Sequence, residues 1–173
     1  MKYFRHMTGC SLLMLLAALM PLHGTAQKKV KVACVGNSIT YGMKLSDREN
    51  EAYPSQLQRL LGDTYEVGNF GKNGATLLRR GHRPYMEQEE FHRAVDFGGD
   101  IVVIHLGTND TDPRDWPNYG DEFVADYLAL MDSLRTNNPA ARFIIAKPAP
   151  IADRHPRFQS GTKEWLGQIH KSV

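Results

Sequence analysis

A chain of 173 residues, 42% hydrophobic and 23% charged, has room for one ordinary domain, and its 15 Gly and 9 Pro are scattered, which excludes a collagenous, low-complexity or disordered protein. Lys plus Arg number 21 against 19 Asp plus Glu, but Lys2 and Arg5 lie in the first 26 residues with no acid beside them, so the other 147 residues balance at 19 against 19. That balance leaves no basic footprint for nucleic acid.

Lys2, Arg5 and His6 make a positive start, Ser11 to Leu22 is a run of small and apolar residues, and Gly24-Thr25-Ala26 offers small residues at a cleavage site. This pattern predicts a signal peptide over residues 1–26, cut after Ala26, and a secreted or periplasmic protein. The apolar run is shorter than the roughly 20 residues a helix needs to cross a bilayer, so no stable membrane insertion is expected after cleavage. Cys10 would leave with the signal, and Cys34 alone builds neither a disulfide framework nor a Cys-based zinc site.

From Val30 onward short apolar runs alternate with longer amphipathic stretches, the pattern of a βαβα chain. Strands are predicted at Val30 to Val35, Tyr65 to Asn69, Ile101 to Leu106 and Arg142 to Lys147. Helices are predicted at Tyr53 to Leu61, Glu87 to Val95, Asp121 to Thr136 and Thr162 to the last residue. The third helix is marked by Phe123, Tyr127, Leu130, Met131 and Leu134 on one face and by the stop Asn137-Asn138-Pro139. Strands three and four are nearly continuous apolar runs, as in strands covered on both faces. The expected fold is α/β, a three-layer α/β/α sandwich around a parallel sheet. In the order 2-1-3-4-5 its ligand crevice lies beyond the carboxyl ends of strands one and three.

Strand one runs into Gly36-Asn37-Ser38-Ile39-Thr40-Tyr41-Gly42 and strand three into Gly107-Thr108-Asn109-Asp110, so both segments flank that crevice. A serine at a strand-to-helix turn exposes its hydroxyl, while backbone N–H groups of the turn face any negative charge forming nearby. Ser38 is the candidate nucleophile, with its own N–H as one donor. Asn109 can aim a side-chain N–H at the same point, and the turn Gly71-Lys72-Asn73-Gly74 can add a backbone donor unobstructed by a side chain. Together these make a candidate oxyanion hole.

With these segments the chain, from Val30 to its last residue, resembles the SGNH or GDSL-type hydrolases, serine esterases on a flavodoxin-like fold. Gly36-Asn37-Ser38-Ile39-Thr40 is similar to the family's nucleophile block, and Gly107-Thr108-Asn109-Asp110 to the block whose Asn, here Asn109, donates to the oxyanion. The resemblance implies Gly74 as the oxyanion glycine, with Gly71 as the fallback. The segments Gly-Asn-Ser-Ile-Thr-Tyr-Gly, Asn69-Phe70-Gly71 and Thr111 to Tyr119 look most like secreted carbohydrate esterases of the sialate O-acetylesterase and acetylxylan esterase kind. No cofactor is implied, and the implied partner is a small-molecule or glycan ester substrate.

Two positions depart from the family. Asn37 stands where the commonest motif has Asp, and an amide can still hold the turn. The Asp-x-x-His block that supplies the general base has no match in the 173 residues. Asp153-Arg154-His155-Pro156 is one residue short of it. His105 reads as a core histidine, His82 and His92 as solvent-facing, and His170 as surface. The expectation is a domain over residues 27–173 that is incomplete at its C-terminus, lacking the last strand and the histidine block, and inactive by itself. A serine without its base is a poor nucleophile. The rival expectation is a non-catalytic carbohydrate-binding domain on the same fold.

Of the weaker signals, the acidic loop Asp110 to Asp115 reads as a turn rather than a metal site, so no metal is expected. Gly68, Gly71 and Gly74 lack the spacing of a dinucleotide fingerprint. Arg79, Arg80, Arg83 and Arg114 are expected on the crevice rim with Tyr85, Trp116 and Tyr119, and Arg83 and Trp116 are the candidate substrate-binding residues.

Overall fold

The computed structural model describes residues 27–151 and 162–173. The signal peptide expectation and the Asp153 to Pro156 segment lie outside the described residues.

Four parallel strands form the sheet: β1 (Val30–Gly36), β2 (Tyr65–Gly71), β3 (Ile101–His105) and β4 (Arg142–Ile145), in the order β2-β1-β3-β4. Between β1 and β2 lie three helices, α1 (Ser38–Tyr41), α2 (Arg48–Glu51) and α3 (Tyr53–Leu61). Next come α4 (Glu89–Phe97), α5 (Trp116–Tyr119), α6 (Phe123–Leu134) and α7 (Thr162–Ser172). The first crossover carries the chain from β1 to one side and the second carries it back past β1 to β3. Right-handed connections therefore put α3 on one face and α4 and α6 on the other, and α4 touches both β1 and α6. No helix among the described residues is long and apolar enough to cross a membrane.

Apolar side chains of the central strands, Ala33, Val35, Val102 and Ile104, are fully or almost fully buried and join one core with Leu77, Leu78, Phe91, Phe123, Leu130 and Leu134. Cys34 is buried in β1, and burial pushes its thiol up to about 11. Helix α6 turns Phe123, Tyr127, Leu130 and Leu134 inward, as the helical spacing predicts, and adds Asp126 to the buried set.

Elsewhere the structure corrects the expectation. Two of the helices between β1 and β2 and α5 have only four residues each, too short for a periodic signal. β2 extends two residues further than predicted, to Gly71, while β4 stops at Ile145. Nor is β4 covered on both faces. Among the described residues it pairs only with β3, and Ile144 and Ile145 are 55% and 40% exposed. An apolar run reports affinity for a neighbour, and β4 has one described strand beside it.

Candidate active site

The register of the sheet brings the three sequence blocks to one end. Gly36, the last residue of β1, pairs with Gly71 of β2 on one side and His105 of β3 on the other. Past that row the ladder continues through loop backbone: Lys72 N–H donates to Gly36 O at 2.9 Å and Asn37 N–H to His105 O at 3.3 Å. The segments carrying Ser38, Gly74 and Asn109 thus leave the sheet side by side, at the point where strand order reverses between β1 and β3.

Ser38 opens α1 and is half-buried. Asn37 caps the helix, its buried Oδ1 accepting from Ile39 N–H at 3.1 Å, so the amide holds the turn as expected. Gly42 closes the helix at φ +84. A side chain at Gly71 would meet the backbone of Thr40 and Tyr41, so only glycine lets β2 end directly beneath α1.

Gly71 N–H is taken by Asn69 Oδ1 at 3.0 Å, which removes the fallback oxyanion donor. Gly74, at φ +75, keeps an N–H with no partner among the described residues. Asn109 starts a 3₁₀ turn after β3 and donates through Nδ2 to Ala75 O at 2.9 Å. That bond uses one of two amide hydrogens and fixes the side chain beside the Gly74 turn.

The loop between Gly74 and Arg83 has little secondary structure, and distant carboxylates hold its backbone. Asp110, fully buried, accepts from Leu77 N–H at 3.1 Å and Leu78 N–H at 2.7 Å. Asp126 accepts from Arg79 N–H at 2.8 Å and Asp115 from His82 N–H at 2.9 Å. Burial pushes the Asp110 carboxyl up to about 6 against the pull of the two amide donors. These positioning carboxylates escaped the sequence reading. In the sequence Asp110 and Asp115 read as parts of a plain turn, and no periodicity marks a bond across more than thirty residues.

His82 is exposed, as expected, and is also paired. Its Nδ1 lies 2.6 Å from Oδ2 of the buried Asp115. Together with Asp112 this pair puts three possible metal-ligand atoms within 4.8 Å of one another. Asp112, however, is already held by Arg114, with both carboxylate oxygens at 2.8 Å from the guanidinium, and that contact holds its carboxyl down at about 2.

Burial pushes the His105 imidazole below its ordinary value. His170 is half-buried rather than on the surface, with Nε2 2.8 Å from Pro148 O. Among the described residues no imidazole is hydrogen-bonded to Ser38.

Arg83 reaches the site. Its Nη1 donates to Asn73 O at 3.0 Å and lies over Gly74. Trp116 moves from the expected rim into the core. It is 7% exposed, meets Phe123 edge-on at 5.3 Å and donates from Nε1 to Gln168 at 2.7 Å, because α5 turns its ring inward beneath Gly120. Tyr85 is buried as well, its hydroxyl donating to Phe70 O at 2.7 Å. Neither ring offers a free face for stacking.

A parallel α/β sheet with a capped serine turn and an amide donor at its switch point defines a class of hydrolase. Residues 34–173 match the GDSL-like Lipase/Acylhydrolase family, and the chain belongs to it. It is 46% identical over 106 residues to an acetylxylan esterase of Xylanibacter ruminicola; the match covers 61% of this chain and 22% of that enzyme, so the chain spans about a fifth of the curated relative it matches. Two solved structures share the fold. The aryl esterase of M. smegmatis superposes with a TM-score of 0.65 at 18% identity, over 82% of this chain and 76% of that one. A lipolytic protein of the G-D-S-L family from Desulfitobacterium hafniense gives 0.58 at 20% identity, over 83% and 69%.

Proposed function

We propose that the chain is the catalytic serine portion of an exported esterase that removes O-acetyl or other acyl groups from carbohydrate, xylan before sialic acid. Ser38 Oγ attacks the acyl carbonyl, and the oxyanion is met by Ser38 N–H, Gly74 N–H and the second hydrogen of Asn109 Nδ2. Collapse of the oxyanion breaks the ester bond and frees the sugar hydroxyl, leaving the acyl group on Ser38 Oγ, and water then hydrolyses that acyl-serine ester to release the acid and restore the Ser38 hydroxyl. The observation that carries this reading is the row Gly71, Gly36, His105, which sends all three segments out at one end of the sheet. The acetylxylan esterase relative supports the choice of acyl group and sugar. Attack requires an imidazole at Ser38 Oγ, which the reading places outside the described residues.

A fluorophosphonate probe tests the assignment. In a form of the enzyme that includes the general base, the probe is expected to label Ser38, to leave Ser38→Ala unlabelled, and to label Asn109→Ala about a hundredfold more slowly, as loss of an oxyanion donor does elsewhere. Equal labelling of wild type and Ser38→Ala would sink it. The absence of a described imidazole bonded to Ser38 favours a second reading, a carbohydrate-binding domain without turnover, which predicts no labelling of a folded protein.

A further inference from the structure

A polar cavity of about 270 Å³ opens beside α1, on the β2 side of the sheet, and its walls include Tyr41, Arg48, Glu49, Asn69, Glu90 and Arg93. Tyr41 ends the helix that Ser38 begins, so the two residues are separated by about 4.5 Å of helical rise. Gly71, in the cavity floor, lies against Tyr41 N.

The wall groups are unusually available. Arg48 stacks over the Tyr41 ring with its guanidinium carbon 4.2 Å from the centroid, and Arg93 lies over Phe70 at 5.9 Å. Neither guanidinium has a hydrogen bond or ion pair among the described residues. Asn69 Oδ1 is fixed by Gly71 N–H, which aligns the side chain and leaves its Nδ2 free. Glu90 is anchored by Lys72, whose Nζ lies 3.2 and 3.1 Å from its two carboxylate oxygens. Stacking and anchoring hold these planar groups in place before any ligand arrives, which lowers the ordering cost of binding.

We propose that this cavity is a glycosyl subsite that holds one neutral sugar ring next to the ester attacked by Ser38; the inference rests on the carbohydrate part of the proposed function. Planar donors (Arg48, Arg93, Asn69) and acceptors (Glu49, Glu90) face one small space, and vicinal hydroxyls, each both donor and acceptor, satisfy both kinds at once. An acyl chain would strand those polar groups without water. A free carboxylate would gain the guanidiniums but meet Glu49 and Glu90. The volume falls below the roughly 300–1,000 Å³ typical of clefts for larger ligands and suits a single ring.

The experiment is a titration of the full chain with xylobiose, followed by backbone amide NMR shifts, with acetate and glucuronate run in parallel. Saturable shifts are expected at Asn69, Gly71 and Arg93, with neither anion binding more tightly than xylobiose. Arg93→Ala and Arg48→Ala should each weaken binding at least tenfold, while Leu60→Ala, on the exposed face of α3, should leave it unchanged. Ser38→Ala should still bind, which separates this inference from the catalytic assignment. No saturable shift, shifts centred elsewhere, tighter binding of an anion, or unchanged affinity in folded Arg93→Ala each overturn the proposal.

Discussion

Gly71→Ala is expected to destabilise the protein by about 3 kcal/mol, at the upper end of what overpacking costs. The added methyl would be directed into the backbone of Thr40 and Tyr41, not toward a flexible side chain. Backbone cannot move aside without breaking the Asn37 cap and lifting α1 from the end of β2. A urea melt reads this directly, because a shift in midpoint at constant slope measures the stability lost. Gly167→Ala provides the contrast. Nothing lies within 4 Å of the new methyl, and the residue is inside α7, so stability should rise by about 0.5–1 kcal/mol. Equal melting of the Gly71 variant and wild type would show that α1 is not seated on β2 as described.

Asp110→Asn should remove a large part of the pH dependence of stability between pH 4 and 6. The folded state lifts this carboxyl from 3.8 to about 6, so it keeps a proton that the unfolded chain releases. Its stabilising contribution is therefore complete below about pH 4 and is lost as pH rises through 6. The loss is on the order of 3 kcal/mol, at about 1.4 kcal/mol for each pH unit. An amide does not titrate, so the variant should lack this slope. Its NH₂ faces an N–H that the carboxylate accepted, and a buried donor without a partner costs about 1–3 kcal/mol, so the variant should melt below wild type at pH 4 and draw level with it, or pass it, by pH 7. Thermal unfolding of both proteins from pH 3.5 to 7.5 measures the difference. Parallel curves across the window would rule out Asp110 as the titrating group.

Periodicity and turn chemistry made the frame legible. Val30, Tyr65, Ile101 and Arg142 each begin a strand where predicted, and α3 spans Tyr53–Leu61 as expected. Ser38 and Asn109 stood out because each follows a strand directly, and strand ends in a parallel sheet have a known destination. What stayed hidden was not periodic. Trp116 and Tyr85 looked like rim residues because aromatic side chains near loops carry no sign of which way they turn. The bonds of Asp110, Asp115 and Asp126 to distant amides depend on tertiary placement alone. The exposure of β4 likewise depends on its neighbours, which its own apolar run does not record.

The four backbone bonds that hold the loop from Leu77 to His82 join residues 33, 32, 47 and 33 positions apart in the chain. Contacts that far apart form only after the intervening chain has closed, which delays them relative to local turns. The loop from Leu77 to His82 is thus expected to take shape only after β3 and α6 have docked. The amides of Leu77, Leu78, Arg79 and His82, each bonded to a carboxylate, should exchange with deuterium only through large-scale opening, on the same slow clock as the central strands.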